Sequence, residues 1–167
     1  MPIYEFTQNN SGGVFSVDDN LCHRVYIEAD SIDEANDIAL IKGMYFEGVD
    51  KGIDCPCCGD RWHRAYDEFD LDILNIPYKV RQYFRGDISK AQDMWYNRYG
   101  SYTIIKPPSL ESTGHSKRLV GEVIFHTLEN YLFYIANCYG QTTPDSRIFY
   151  FDKTVEIYRD GTNPPPR

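Results

Sequence analysis

Short β-favouring runs without helical spacing open the chain. Ile3-Tyr4-Glu5-Phe6-Thr7-Gln8 and Val14-Phe15-Ser16-Val17 read as strands, and the polar Asn9-Asn10-Ser11-Gly12-Gly13 between them reads as a turn. After Asp18-Asp19-Asn20 a third strand is predicted over Leu21 to Glu28. Period two puts Leu21, His23, Val25 and Ile27 on one side and Cys22, Arg24, Tyr26 and Glu28 on the other. Ser31 with Glu34 three residues later has capping-box spacing, and Gly43 offers a stop, so a helix is predicted from Ser31 to Lys42. Its buried stripe is Ile32, Ala35, Ile38, Ala39 and either Leu40 or Ile41. Met44 to Gly48 then returns toward the sheet.

Farther along, the pattern is less decisive. Tyr66 to Ile76 mixes acids with isolated apolar residues and fits a helix, a loop or a covering arm. A short helix is predicted over Ile88 to Tyr96, and a strand over Tyr102 to Ile105 that Pro107-Pro108 stops, followed by a polar loop from Ser109 to Ser116. Between Arg118 and Tyr139 apolar residues dominate, which fits two buried strands or a strand followed by a helix. Arg147 to Phe151 and Thr154 to Tyr158 flank Asp152-Lys153 as a hairpin. The pattern as a whole predicts an α+β fold, an antiparallel sheet with one or more helices packed on it and a cysteine-turn loop, in a single domain over residues 1–160 with a Pro-rich tail at 161–167.

Composition sharpens this picture in one respect. The chain of 167 residues has net charge −8, which disfavours the whole molecule as a general binder of DNA or anionic membrane. Residues 1–75 carry 5 basic and 16 acidic side chains, whereas residues 76–167 carry 12 basic and 9 acidic ones. The halves therefore present different faces. No run approaches the roughly 20 apolar residues of a membrane span, and the opening lacks the basic-then-apolar order of a leader, so a cytoplasmic location is expected.

Candidate chemistry concentrates in Asp54-Cys55-Pro56-Cys57-Cys58-Gly59-Asp60-Arg61-Trp62-His63. Five cysteines, three of them in one turn, do not resemble a secreted disulfide framework. Cys55 and Cys58 fit a zinc knuckle, in which Pro and Gly let backbone N–H groups point at two sulfurs. Cys57 and His63 are the candidates to complete a structural zinc site, with Cys22, His23 and Cys138 as further possibilities, and no second Cys-x-x-Cys pair exists in the chain. The alternative is a rigid turn with reduced thiols and no metal. Asp54 and Asp60 beside the turn, with no amphipathic helix after it, argue against redox chemistry.

Two other constellations carry candidate sites. The amides and exposed N–H groups of Gln8, Asn9, Asn10 and Ser11, with Arg61 and Trp62, could hold a small anionic or polar ligand such as a nucleotide; the structural alternative is a loop tolerant of positive φ and a Trp that closes the core. Lys79, Arg81, Arg85, Lys90, Trp95 and Arg98 interleave charge with aromatic residues, as single-stranded nucleic acid requires, and fit equally a surface that docks on the acidic half of a second copy. The acids at 67, 68, 70 and 72 match no calcium loop, and no phosphate loop, dinucleotide fingerprint or hydrolase motif occurs, so no residue is assigned a catalytic role.

The segments Tyr4-Glu5-Phe6-Thr7-Gln8-Asn9-Asn10-Ser11-Gly12-Gly13 and Gly52-Ile53-Asp54-Cys55-Pro56-Cys57-Cys58-Gly59-Asp60-Arg61-Trp62 together resemble small uncharacterised proteins of tailed bacteriophages. The likeness covers about the first 65 residues, with a weaker match in the terminal hairpin, and the segment from about 70 to 145 looks particular to this chain. The resemblance implies a phage-encoded accessory protein made in host cytoplasm, with no family activity to carry over. The leading expectation is a non-catalytic protein that binds a host or phage macromolecule, a protein first. A small-ligand or nucleotide binder and a single-strand nucleic-acid binder are the alternatives, and self-association is compatible with each.

Overall fold

The structure, a computed structural model, describes residues 1–9, 15–75, 78–83, 89, 102–113, 116–136 and 144–158. Its elements in chain order are β1 (Ile3–Thr7), β2 (Arg24–Glu28), α1 (Ile32–Ile41), a 3-10 turn (Leu71–Asn75), β3 (Tyr78–Tyr83), β4 (Tyr102–Thr113), β5 (Ser116–Phe125), α2 (Leu128–Ile135), β6 (Pro144–Phe149) and β7 (Thr154–Tyr158). They fall into two compact units, one from Met1–Phe69 with the described part of Cys138–Asp160, the other from the described part of Asp70–Asn137. The α+β class holds. No helix among the described residues is long and apolar enough to cross a membrane.

The first unit is a four-stranded sheet in the order β1-β2-β6-β7 with α1 packed on it. β1 pairs antiparallel with β2, and Tyr26 donates its phenol to Glu5 directly across that pair at 2.6 Å. The terminal hairpin forms where the pattern placed it, β6 antiparallel to β7, with the Tyr150 N–H donating to the Lys153 carbonyl at 2.9 Å. β2 and β6, however, run parallel, so this sheet is mixed. Parallel pairing joins strands far apart in sequence, and no local pattern encodes its direction.

The expected second strand does not form. Ser16 has both backbone groups taken by the Gln8 side chain, its N–H donating to Oε1 at 2.9 Å and its carbonyl accepting from Nε2 at 2.6 Å. A residue held this way has no ladder bonds to offer a neighbour. β1 therefore pairs with the predicted third strand, which itself starts at Arg24 instead of Leu21.

In α1 the predicted signals act as predicted. The Ser31 hydroxyl accepts the Glu34 N–H at 3.1 Å, and the helix ends with Gly43 donating to Leu40 and Met44 to Ala39, a Schellman closure. Ala35 and Ala39 are buried and Ile32 and Ile38 pack against the core. Neither Leu40 nor Ile41 joins the stripe; they are 42% and 81% exposed. The largest fully buried side chains of this core are aromatic: Phe6, Phe46, Trp62 and Tyr26, with Phe6 stacked on Phe46 at 6.3 Å and Tyr26 meeting Phe69 edge-on at 5.4 Å, among aliphatic neighbours such as Val25 and Ile27. That last contact resolves the open reading of the acidic stretch, which begins as an arm: the Phe69 N–H donates to the Ile3 carbonyl at 2.6 Å.

The second unit is an antiparallel sheet in the order β3-β5-β4, with α2 capped by Thr127, whose hydroxyl accepts the Asn130 N–H at 3.1 Å. The apolar run from 118 is thus a strand followed by a helix. Leu119, Val123 and Phe125 form its core against Tyr131 and Tyr134. Pro107-Pro108 do not stop β4: the strand continues to Thr113 through register shifts on either side of Lys106. Among the described strands β4 lies at the edge of its sheet, bonded to β5, where a proline without an N–H is tolerated at an irregularity. The predicted helix at 88–96, apart from Ser89, and the tail at 161–167 lie outside the described residues.

Removing the α1 cap should be felt and altering its exposed isoleucine should not. Ser31→Ala is expected to cost about 1 kcal/mol in urea unfolding, and Ile41→Ser to stay within about 0.5 kcal/mol of the parent.

Candidate metal centre

The cysteine turn is built by side chains that bond to backbone. At the end of β1, buried Gln8 has every amide position occupied: besides Ser16, its Nε2 donates to the Cys22 carbonyl at 2.8 Å, and its Oε1 accepts from Arg61 Nη1 at 2.9 Å. The next residue reaches the turn itself. Asn9 Nδ2 donates to the Cys58 carbonyl at 2.7 Å and to Asp60 at 3.3 Å, while its backbone N–H donates to Arg61 at 2.9 Å.

The two flanking aspartates are part of the same frame. Asp54 accepts the Tyr45 phenol at 2.8 Å on one oxygen and the Arg61 N–H at 2.9 Å on the other. Asp60 accepts the Val49 N–H at 2.8 Å. Asp54 also needs a glycine beneath it, because a Cβ at Gly48 would lie 2.0 Å from its Oδ2. Within the turn, the Cys58 and Gly59 N–H groups donate to the Cys55 carbonyl at 3.1 and 3.0 Å, and Gly59 takes φ +82. Trp62, 1% exposed, anchors the outgoing chain in the core.

This frame gathers the Cys55, Cys57 and Cys58 sulfurs within 4.8 Å of one another at the surface, a group that could bind a metal ion. Cys55 and Cys57 are 2.7 Å apart and Cys57 and Cys58 3.6 Å. Tetrahedral zinc with Zn–S bonds of about 2.3 Å sets sulfurs about 3.8 Å apart, near the second spacing and wider than the first. The protons are unevenly shared. Hydrogen bonds from the Cys57 thiol and from the Cys57 and Cys58 N–H groups hold Cys55 below the ordinary thiol range. Cys57, hydrogen-bonded to both other sulfurs and repelled by their charge, is pushed up to about 11. Such N–H···S bonds stabilise a thiolate and fix the direction in which it can bind a metal.

His63 is exposed and outside this group, because Trp62 is committed to the core and the residue after it is turned to solvent. Nor do the other ligand candidates converge. Cys22 is buried, its thiol pushed up to about 12 mainly by burial and donating to the Arg24 carbonyl at 3.1 Å. His23 stacks on Phe15 at 4.0 Å and faces Asp145 at 3.6 Å. Cys138 lies outside the described residues.

Of the candidate ligand-binding residues, Gln8, Asn9 and Arg61 are brought together, but their polar atoms are aimed at the chain, and Trp62 is inside. Asn10 and Ser11 lie outside the described residues, as do Arg85, Lys90, Trp95 and Arg98. Lys79 and Arg81 occupy alternate positions of β3, in register with Glu122 and Val120 of β5. Sequence reading missed the buried charges of β6. Arg147 donates to the Asp18 and Leu21 carbonyls and pairs with Glu156 at 3.4 Å, while Asp145 takes Arg24 at 2.9 Å. No local signal joins positions more than a hundred residues apart.

Comparison with known families bears on the whole of this frame. The model of a domain of unknown function, DUF7296, matches residues 1–118. The chain belongs to the DUF7296 family. The match takes in β1, the cysteine turn and α1, and it runs on through β3 and β4, so the stretch from 70 to 118 is shared with the DUF7296 family and is not peculiar to this chain. Neither the curated proteins nor the solved structures give a match.

Thiol chemistry should follow the proton distribution. In chelator-treated protein at neutral pH, iodoacetamide is expected to modify Cys55 ahead of Cys57, with Cys22 reacting only on unfolding; peptide mass spectrometry gives the order. Gly48→Ala is expected to lower the melting temperature and expose the Tyr45 phenol to titration, since Asp54 must move.

Proposed function

We propose that this chain is a non-catalytic binding protein whose cysteine turn takes a structural zinc ion through Cys55, Cys57 and Cys58, and which acts by docking on a host or phage protein. The convergence of three sulfurs on a turn framed by Gln8, Asn9, Asp54 and Asp60 carries this reading. Soft thiolate donors favour zinc over magnesium or calcium. The polar side chains around the turn are directed at main-chain groups, an arrangement suited to holding a loop and not to moving protons on a substrate.

The docking part of the reading rests on surface composition. The first unit exposes Ile41 and Tyr66 at about 80% each, among an excess of acids. Exposed aromatic and aliphatic anchors ringed by charge are what a protein partner buries. The resemblance of the opening and cysteine motifs to tailed-phage proteins supports action in the cytoplasm of an infected host.

Elemental analysis of the purified full chain tests the zinc site. One zinc per chain is expected, lost in Cys55→Ser and in Cys58→Ser together with a drop in melting temperature. A metal-free protein whose melting temperature is indifferent to zinc and to chelator would overturn it.

A further inference from the structure

At one end of the first unit's sheet, β2 and β6 leave side by side in the same direction and then part, β2 toward α1 and β6 into the turn before β7. Chains that diverge from the carboxyl ends of parallel strands leave a crevice between them. Here it is a cleft of about 430 Å³, walled by Ile38 of α1, by Lys42 at the C-cap of that helix and by Phe149 to Thr154. That volume suits a small molecule. The cysteine turn contributes nothing to it.

Two features of the lining specify a ligand. Lys42 Nζ stands 4.4 Å over the Phe149 ring and Lys153 Nζ 5.2 Å over the Tyr150 ring. A ring face positions an ammonium without neutralising it, and neither lysine has a carboxylate partner among the described ion pairs. Beside them Phe151 is 81% exposed, an aromatic ring with nothing stacked on it among the described ring pairs.

Three acids also line the cleft, and two of them are engaged: Glu28 accepts the Phe151 N–H at 3.1 Å and Glu34 the Asp30 N–H at 2.6 Å. Asp152 is the third. These carboxylates limit how much negative charge the cleft can admit.

We propose that this cleft binds a planar aromatic ring bearing a single anionic group, of the nucleoside monophosphate class, with the ring on Phe151 and the anion between Lys42 and Lys153. The inference is independent of the metal site.

Calorimetric titration of the full chain with AMP, adenosine, inorganic phosphate and ATP tests it. Saturable AMP binding is expected, with adenosine and phosphate each at least about tenfold weaker because each supplies half of the contacts. Lys153→Gln, Lys42→Gln and Phe151→Ser should each weaken AMP about tenfold, a loss of about 1.4 kcal/mol, while Lys51→Gln, outside the cleft and paired with Glu47 at 3.9 Å, leaves it unchanged. No AMP binding by the folded chain, phosphate binding as tightly as AMP, ATP binding more tightly than AMP, or binding indifferent to the two lysines and Phe151 would each overturn the assignment.

Discussion

Two side-chain amides hold the first unit together where its sheet stops. β1 ends at Thr7, and beyond it the backbone bonds of Gln8 to His23 and of Asn9 to Arg61 are joined by bonds of the two side chains to residues 16, 22, 58, 60 and 61. An amide offers two donors and two acceptor sites, so one buried Gln can satisfy four groups on three separate segments. Burying those backbone groups without partners would cost about 1 to 3 kcal/mol each. Ser16, the lead into β2 and the cysteine turn are therefore tied together, and the three sulfurs are gathered by the protein's own hydrogen bonds. Preorganisation of this sort is what a metal site draws on when the ligands sit on an irregular turn.

A second constraint operates at the middle of the sheet. β6 is buried along its whole length, yet it reads Pro-Asp-Ser-Arg-Ile-Phe. Its charges are tolerated because Arg24 and Glu156, on the two neighbouring strands, and the Asp18 and Leu21 carbonyls answer them. The same parallel alignment of β2 and β6 that brings Arg24 near Asp145 opens the cleft at the other end of the pair. Strand direction thus connects the polar centre of the sheet to the candidate ligand site.

What could be read from the sequence was what neighbouring residues settle between themselves. Ser31, Glu34 and Gly43 define α1, Asp152-Lys153 the terminal hairpin, and Cys55 to Gly59 the thiol turn, because each signal and its response lie within a few residues. The misreadings arise from long-range partners. Val14 to Val17 has strand composition, but the Gln8 amide claims Ser16; Pro107-Pro108 ought to end a strand, but at an edge beside β5 the ladder shifts and goes on. His63 follows the cysteines closely in sequence, and in the structure it is exposed and outside the group of three sulfurs. The charge asymmetry was legible as composition, and its step near residue 75 falls close to the boundary between the two units at Phe69.

Side-chain amides outside the sulfur cluster set the shape of the cysteine turn. Zinc affinity of Asn9→Ala, measured by competition with a chromogenic chelator while all cysteines stay in place, tests this most directly. Loss of a bond worth about 1 kcal/mol predicts affinity weakened by about five- to tenfold with unchanged stoichiometry. Affinity equal to that of the parent chain would contradict the account, since the turn would then owe its shape to the metal alone.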